Sequence, residues 1–217
     1  MEKIYPDSGV ELTPLISRHY DFLMKLGSFG KYQGFINRAI KKMGIKPGDT
    51  ILDMGCGTGK NACLMGEYLS GEDGARIVGL DISEVMMKQF EGNCKSFSFM
   101  EFKQQRVDEP FDLGEKFDKV FISFVIHGFP HEIRKKVIQN AFNHLKGGGS
   151  FFILDFSEFN MDEMPALHRL IFKKVECKYA FDYIEKDWKE ILGEYGFHDF
   201  EEDLFMKNYV RLLKAVK

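Results

Sequence analysis

Residues 51–60 constrain this chain more than any other ten. Ile51-Leu52-Asp53-Met54 is an apolar strand that runs without a break into Gly55-Cys56-Gly57-Thr58-Gly59, and Lys60 then opens a helical pattern. Glycine at every second position lets the backbone turn sharply and keeps Cβ atoms away from anything bound there. A strand, a glycine turn and a helix in that order begin a parallel crossover unit, so the chain is committed to an open sheet with helices packed on it.

The same alternation continues downstream. Thr50 to Met54, Arg76 to Leu80, Ser98 to Phe102, Lys119 to Val125 and Gly149 to Leu154 are short apolar or β-branched runs, the expected strands one to five. Lys60 to Leu69, Glu84 to Cys94 and His131 to Leu145 carry apolar residues at three- and four-residue spacing and read as crossover helices. Phe197 to Phe205 and Tyr209 to Val216 are separated by only a few polar residues, which predicts a closing antiparallel hairpin. The expected fold class is therefore α/β: a doubly wound, mostly parallel seven-stranded sheet with a C-terminal antiparallel hairpin and helices on both faces.

Two segments stand outside that scheme. Leu12 to Met43 holds two amphipathic helical patterns broken at Gly27 to Gly30, an N-terminal helical cover, and Ser157 to Tyr183 is rich in Met, Phe and Tyr and precedes a helix near Asp187 to Tyr195. Segments added at the mouth of an open sheet usually cover its ligand. A chain of 217 residues with 44% hydrophobic content suits one core. One domain over 1–217 is expected: cover (1–48), ligand-binding core (49–156), substrate-side cover (157–186), and C-terminal helix with hairpin (187–217).

Charge and composition remove several classes of function. Thirty Lys and Arg against thirty-three Asp and Glu give a net charge of -3, so no overall basic field gathers a phosphate backbone and nucleic acid is not an expected partner. Met1 to Val10 has neither a signal-peptide nor a transit-peptide pattern, and apolar runs such as Val120 to Ile126 are too short for a transmembrane segment. A cytoplasmic location is expected. Cys56, Cys63, Cys94 and Cys177 form no C-x-x-C pair and have no close His, so no metal is expected, and the cysteines read as reduced thiols packed like small apolar residues. Nothing in the sequence specifies an oligomeric state.

About twenty residues beyond the glycine turn, the second strand ends in Val78-Gly79-Leu80-Asp81-Ile82, and a carboxylate there suits the two hydroxyls of a ribose. Dinucleotide enzymes share that acid, so a dinucleotide-dependent oxidoreductase is one reading. Spacing argues against it. The fingerprint G-x-G-x-x-G/A started at Gly55 needs Gly or Ala at position 60, where Lys60 stands. Asp53, two residues before the first glycine, would repel a pyrophosphate and attract an ammonium.

Asp53-x-Gly55-x-Gly57-x-Gly59, with Asp81 ending strand two and a C-terminal hairpin, resembles the class I S-adenosylmethionine-dependent methyltransferases over nearly the whole chain. The resemblance implies S-adenosyl-L-methionine as cofactor. Asp53 and the backbone of Gly55, Cys56, Gly57 and Gly59 would hold its methionine end and Asp81 its ribose, with Ile82 packing on the adenine and Met86 nearby. Ser123, toward the end of strand four, would join this cofactor set. After strand three the family usually carries an acid near the adenine amino group. Aligning on Phe102 puts Arg106 there, followed by Val107, whereas a one-residue shift offers Asp108.

Methyl transfer from a sulfonium is an in-line displacement, so the protein must chiefly align two reactants and manage one proton. Ser123-Phe124-Val125-Ile126-His127-Gly128-Phe129 places His127 at the carboxyl edge of strand four, where it could accept a proton or simply shape the pocket. Asp155, ending strand five, either orients substrate or satisfies backbone donors in its own turn. No Asn or Asp followed by Pro-Pro and an aromatic follows strand four, no Pro-Cys pair exists, and strand four has no acid to pair with Asp155. The expected reaction is thus metal-independent methylation of a small molecule, with a non-catalytic S-adenosylmethionine-binding protein as the other reading that keeps Asp53 and Asp81.

The leader, Ile16-Ser17-Arg18-His19-Tyr20-Asp21-Phe22 and then Gly27-Ser28-Phe29-Gly30, is similar to that of the ubiquinone- and menaquinone-biosynthesis methyltransferases and small-molecule enzymes near them. That similarity implies that Tyr20 folds over the cofactor. Met161, Met164, Leu167, Leu170, Ile171, Phe172, Tyr179, Phe181 and Tyr183 either line a pocket for an apolar substrate or pack as core, since Leu167, Leu170 and Ile171 make one helical stripe.

Overall fold

Seven strands form one sheet in the order β3-β2-β1-β4-β5-β7-β6 in the computed structural model, which describes residues 5, 8, 32–71 and 74–217. β1 (Thr50–Met54), β2 (Arg76–Asp81), β3 (Met100–Gln104), β4 (Phe117–Ser123) and β5 (Leu145–Phe156) pair in parallel, while β7 (Val210–Val216) runs antiparallel to both β5 and β6 (His198–Phe205). The expected α/β doubly wound sheet with its C-terminal hairpin is the observed one. The helices among the described residues are α1 (Tyr32–Lys42), α2 (Lys60–Gly66), α3 (Glu84–Asn93), α4 (His131–His144), α5 (Ala166–Val175), α6 (Lys178–Tyr183) and α7 (Trp188–Glu194).

Alternation along the strands builds two cores, one on each face of the sheet. Leu52, Val78, Leu80, Ile122 and Ile153 join Val137, Ile138 and Ala141 of α4 and Trp188 of α7. Ile51, Ile77, Phe121, Phe152 and Leu212 join Phe35, Ile36 and Ile40 of α1, Ala62 and Met65 of α2 and Phe90 of α3. The second helical pattern of the leader is thus α1, packed on the sheet, and the first pattern lies outside the described residues.

Several boundaries move, for identifiable reasons. β3 begins at Met100 rather than Ser98, and β4 covers Phe117–Ser123 rather than Lys119 to Val125. β4 stops early because Phe124 adopts φ 52, which ends the ladder and turns the chain toward the site. β5 is longer than the expected Gly149 to Leu154 because Leu145 pairs with Phe117 at one end, while Asp155 and Phe156 pair with Arg211 and Val210 of β7 at the other. α2 ends at Gly66, short of the expected Leu69, and α3 at Asn93.

The cysteine reading is corrected. Cys63 and Cys94 are joined in a disulfide that ties α2 to the end of α3, with Cα atoms 5.6 Å apart, and only Cys56 and Cys177 are free thiols. The parallel packing of consecutive crossover helices brings together two residues with a sequence separation of 31, a proximity no local spacing encodes.

The apolar stripe of the cover segment is corrected too. Leu167, Leu170 and Ile171 are exposed rather than packed as core, whereas Phe172 and Met164 face inward.

Candidate active site

Sheet order reverses between β1 and β4, and the carboxyl edge at such a switch point is where open α/β sheets bind ligands. The glycine turn lies there. Gly55 takes φ 76, and a Cβ on it would stand 2.7 Å from Val125 Cγ2, so the turn after β1 and the turn after β4 touch only because position 55 is glycine. Gly59, at φ 77, caps α2 against the ring of Phe90, while the Cβ position of Gly57 is open, leaving its backbone approachable.

Asp53 is 1% exposed, and its Oδ2 has no hydrogen-bond partner among the described residues. Burial, aided by the nearby Asp81 carboxylate, pushes its pKa up to about 8. An unpaired buried carboxyl is costly, and it suits an incoming cationic group. Asp81 is fixed differently: Oδ2 accepts the Gly57 amide at 3.0 Å and Oδ1 the Ser83 amide at 3.0 Å, which orients both oxygens while leaving lone pairs free. Burial raises its pKa, and those amides partly offset the rise.

A cleft beside this turn is lined by Gly55, Asp81, Ile82, Gln105, Arg106, Val107, Asp108, Val125, Phe129 and Tyr5. Five of the anticipated cofactor residues therefore meet in one place. Ile82 is 40% exposed, a large apolar side chain presented to solvent at the cleft. Other members of the set sit elsewhere. Met86 is buried in the first turn of α3, where its amide donates to the Ser83 side chain. The Cys56 side chain packs inward against Gly79, and burial pushes its thiol pKa well up, so only its backbone faces the turn. Ser123 accepts from Asn61 Nδ2 of α2 at 3.2 Å, linking β4 to the glycine turn. Tyr20 lies outside the described residues.

Arg106 and Asp108 do not compete for one position. Both line the cleft and are paired with each other, Arg106 also reaching Glu109 Oε1 at 3.1 Å. Asp108 is buried and accepts the Tyr5 hydroxyl at 2.8 Å as well. Burial and Asp108 together push the Tyr5 pKa up to about 12. Asn140 of α4 holds this loop through the carbonyls of Val107 and Glu109. Tyr5 and Asn140 were not legible in the sequence, since each meets the loop across more than thirty residues of chain.

Two residues beyond Val125, His127 sits on a single 3-10 turn (Ile126–Gly128). Its Nδ1 lies 2.8 Å from Asp155 Oδ1, and its backbone amide donates to Asp155 Oδ2 at 3.3 Å. Asp155 is fully buried and its carboxylate takes Nδ1–H, which leaves Nε2 as the nitrogen that can exchange a proton. Nε2 is 3.7 Å from Glu176 Oε2, at the end of α5. Burial works to lower the His127 pKa, but Asp155 and Glu176 outweigh it and raise the value above 6.5. Arg134, fully buried, donates to the His127 carbonyl at 3.1 Å and to Asp182 at 2.7 Å, pinning this turn to α6. Phe156 and Tyr183 flank the imidazole, with ring centroids 5.0 and 6.4 Å away. Glu176 and Arg134 carried no sequence signal, because a charge at a helix end or on a helix face ordinarily reads as solvated. Among the described residues no cluster suited to a metal ion exists.

A switch-point cleft with a buried carboxyl below a glycine turn, a second acid at the end of β2 and a histidine beyond β4 defines a class: S-adenosylmethionine-dependent methyltransferases of class I. The comparisons agree. The ubiE/COQ5 methyltransferase family model matches residues 10–188, and the chain belongs to that family. It is 32% identical to a demethylmenaquinone methyltransferase of Staphylococcus carnosus over 74% of this chain and 65% of that enzyme. It is 28% identical to a ubiquinone/menaquinone biosynthesis C-methyltransferase of Xanthomonas campestris over 86% of this chain and 81% of that one. The N-methyltransferase NodS of Bradyrhizobium japonicum, solved with S-adenosylhomocysteine, shares the fold with a TM-score of 0.61 at 12% identity, covering 87% of each chain. The chain is thus an S-adenosylmethionine-dependent methyltransferase acting on a small molecule, and the dinucleotide and non-catalytic readings have no support.

Proposed function

We propose that this enzyme methylates a ring carbon of a small, apolar quinol-type aromatic in the cytoplasm, with His127 as the proton acceptor. The single observation that carries the proposal is the imidazole held by a buried carboxylate beside aromatic side chains at the carboxyl edge of β4. The relatives' names, which speak of demethylmenaquinone and of C-methyl transfer, supply the acceptor class.

In this reading Asp53 takes the ammonium of the cofactor and the Gly55–Gly59 backbone its carboxylate. Asp81 takes the ribose hydroxyls, and Ile82, Arg106 and Val107 border the adenine. When bound, the cofactor supplies a methyl group on a positively charged sulfur. The acceptor's ring carbon would form the new bond as the methyl–sulfur bond breaks, the electron pair staying on sulfur. His127 Nε2 would receive the phenol proton as the ring carbon attacks, with Asp155 stabilising the resulting imidazolium, and loss of the hydrogen on the methylated carbon to solvent with return of a proton to the oxygen would restore the aromatic ring. Phe156, half-buried beside the imidazole, forms an apolar wall for the ring.

The test is transfer of labelled methyl from S-adenosylmethionine to a reduced, short-chain demethylmenaquinone, with the product's methyl located by NMR. Methyl on a ring carbon is the expected result. Label on oxygen would remove the ring-carbon assignment, and no transfer by an enzyme that binds cofactor would remove the quinol reading.

A further inference from the structure

The outward face of α5 has no counterpart in the reaction. Leu167, Leu170, Ile171 and Val175 are 66%, 53%, 52% and 72% exposed, four large apolar side chains at three- and four-residue spacing along one face of one helix. Lone exposed apolar residues are ordinary, but a contiguous helical stripe is a binding surface. The helix contains no acid. Lys173, Lys174 and then Lys178 are exposed around its carboxyl-terminal half, and Arg169 is engaged with Asp162 at 3.1 Å. Asp162 and Glu163, the acids that precede it, sit at the opposite end. In a chain of net charge -3 this is a local concentration of cations against apolar surface.

We infer that α5 docks this enzyme, lying flat, on a bilayer with anionic headgroups. Apolar side chains at the acyl boundary with lysine stems reaching back to the headgroups is the chemistry of interfacial helices. A protein partner would also cover the stripe, but exposed lysines beside it favour a negatively charged surface. No described helix is long and apolar enough to cross a membrane, which fits docking in the plane. The opposite face of α5 touches the site. Phe172 stacks edge-on to Phe156 at 5.1 Å, Phe156 borders His127, and Glu176, the next residue after the helix, stands at His127 Nε2. One short helix therefore separates the bilayer from the imidazole, so an apolar acceptor dissolved in lipid has a short way to travel.

The test is flotation of the full chain with vesicles of phosphatidylcholine alone or with phosphatidylglycerol at one-third. Binding should be at least tenfold stronger with the anionic lipid and fall with added salt. Leu170→Glu/Ile171→Glu and, separately, Lys173→Gln/Lys174→Gln should each lower it roughly tenfold or more, the latter at about fivefold per lysine. Both variants alter exposed positions, so their thermal melts should match the parent's. Absence of binding to either vesicle, or binding unchanged in both variants, overturns the inference. A concentration-dependent dimer that Leu170→Glu/Ile171→Glu dissolves, without vesicle binding, assigns the stripe to a second copy instead. Vesicle binding is read without any methyl acceptor, so its failure and that of the quinol proposal are separate results.

Discussion

At the scale of single residues the site is a set of three carboxylates made different by their surroundings. Asp53 is buried with its Oδ2 unpartnered among the described residues, Asp81 is oriented by two amides, and Asp155 is buried against an imidazole. With a folded pKa of about 8 against 3.8 unfolded, Asp53 keeps its proton in the folded state across that interval while the unfolded chain loses it. Its contribution to stability therefore falls as pH rises from about 4 to about 8. Asp53→Asn should raise the melting temperature of the ligand-free enzyme at pH 8 and weaken S-adenosylhomocysteine binding ten- to a hundredfold, the loss of about 1.5–3 kcal/mol expected for one charged hydrogen bond. Calorimetry and a thermal melt of the same variant check both halves. Because His127 must be neutral to accept a proton, the methyl-transfer rate should rise with pH through a value above 6.5. His127→Ala should lower that rate by roughly a hundredfold or more with cofactor affinity nearly unchanged. Glu176→Gln removes a charge that raises the imidazole pKa, so the acid limb of the rate profile should move to lower pH; an unmoved limb would assign Glu176 a structural part only.

At the scale of elements, the turn between β1 and α2 leaves no room for a side chain at Gly59. A Cβ at Gly59 would meet the Phe90 ring at 2.4 Å in a backbone conformation of φ 77. Gly59→Ala should therefore cost about 2 kcal/mol or more, read from urea unfolding, and loosen the turn that faces the cofactor. The disulfide between Cys63 and Cys94 closes a loop with a sequence separation of 31, for which chain entropy predicts about 3.7 kcal/mol of stabilisation. Reductant should lower the unfolding midpoint accordingly. Thiol titration of the unfolded, unreduced chain should count only Cys56 and Cys177.

At the scale of the whole molecule, the sheet's switch point and the Tyr5–Asp108–Arg106 cluster border one cleft, and the α5–α6 cover packs on the His127 turn beside it. Saturating that cleft should stabilise the entire fold by mass action. S-adenosylhomocysteine at a hundred times its dissociation constant contributes about 2.7 kcal/mol. For a chain of this size that corresponds to a rise of about 5–10 °C in Tm. NADH at the same concentration should leave the melt where it was.

Local pattern alone determined the strand–turn–helix at residues 50–66, the seven-strand alternation and the placing of Asp53 and Asp81 toward the ends of β1 and β2. These depend on hydrophobic period and on glycines at fixed offsets, which neighbours in sequence can specify. Tertiary structure decided the rest, because each remaining feature joins residues that are far apart along the chain. Only folding sets Glu176 against His127, Arg134 under the His127 carbonyl, Tyr5 on Asp108 and Cys63 on Cys94. Only folding, likewise, turned the Leu167, Leu170 and Ile171 stripe outward: a helix with an apolar face looks the same in sequence whether the sheet, a lipid surface or solvent lies opposite it, and here Phe172 is the residue that the core took.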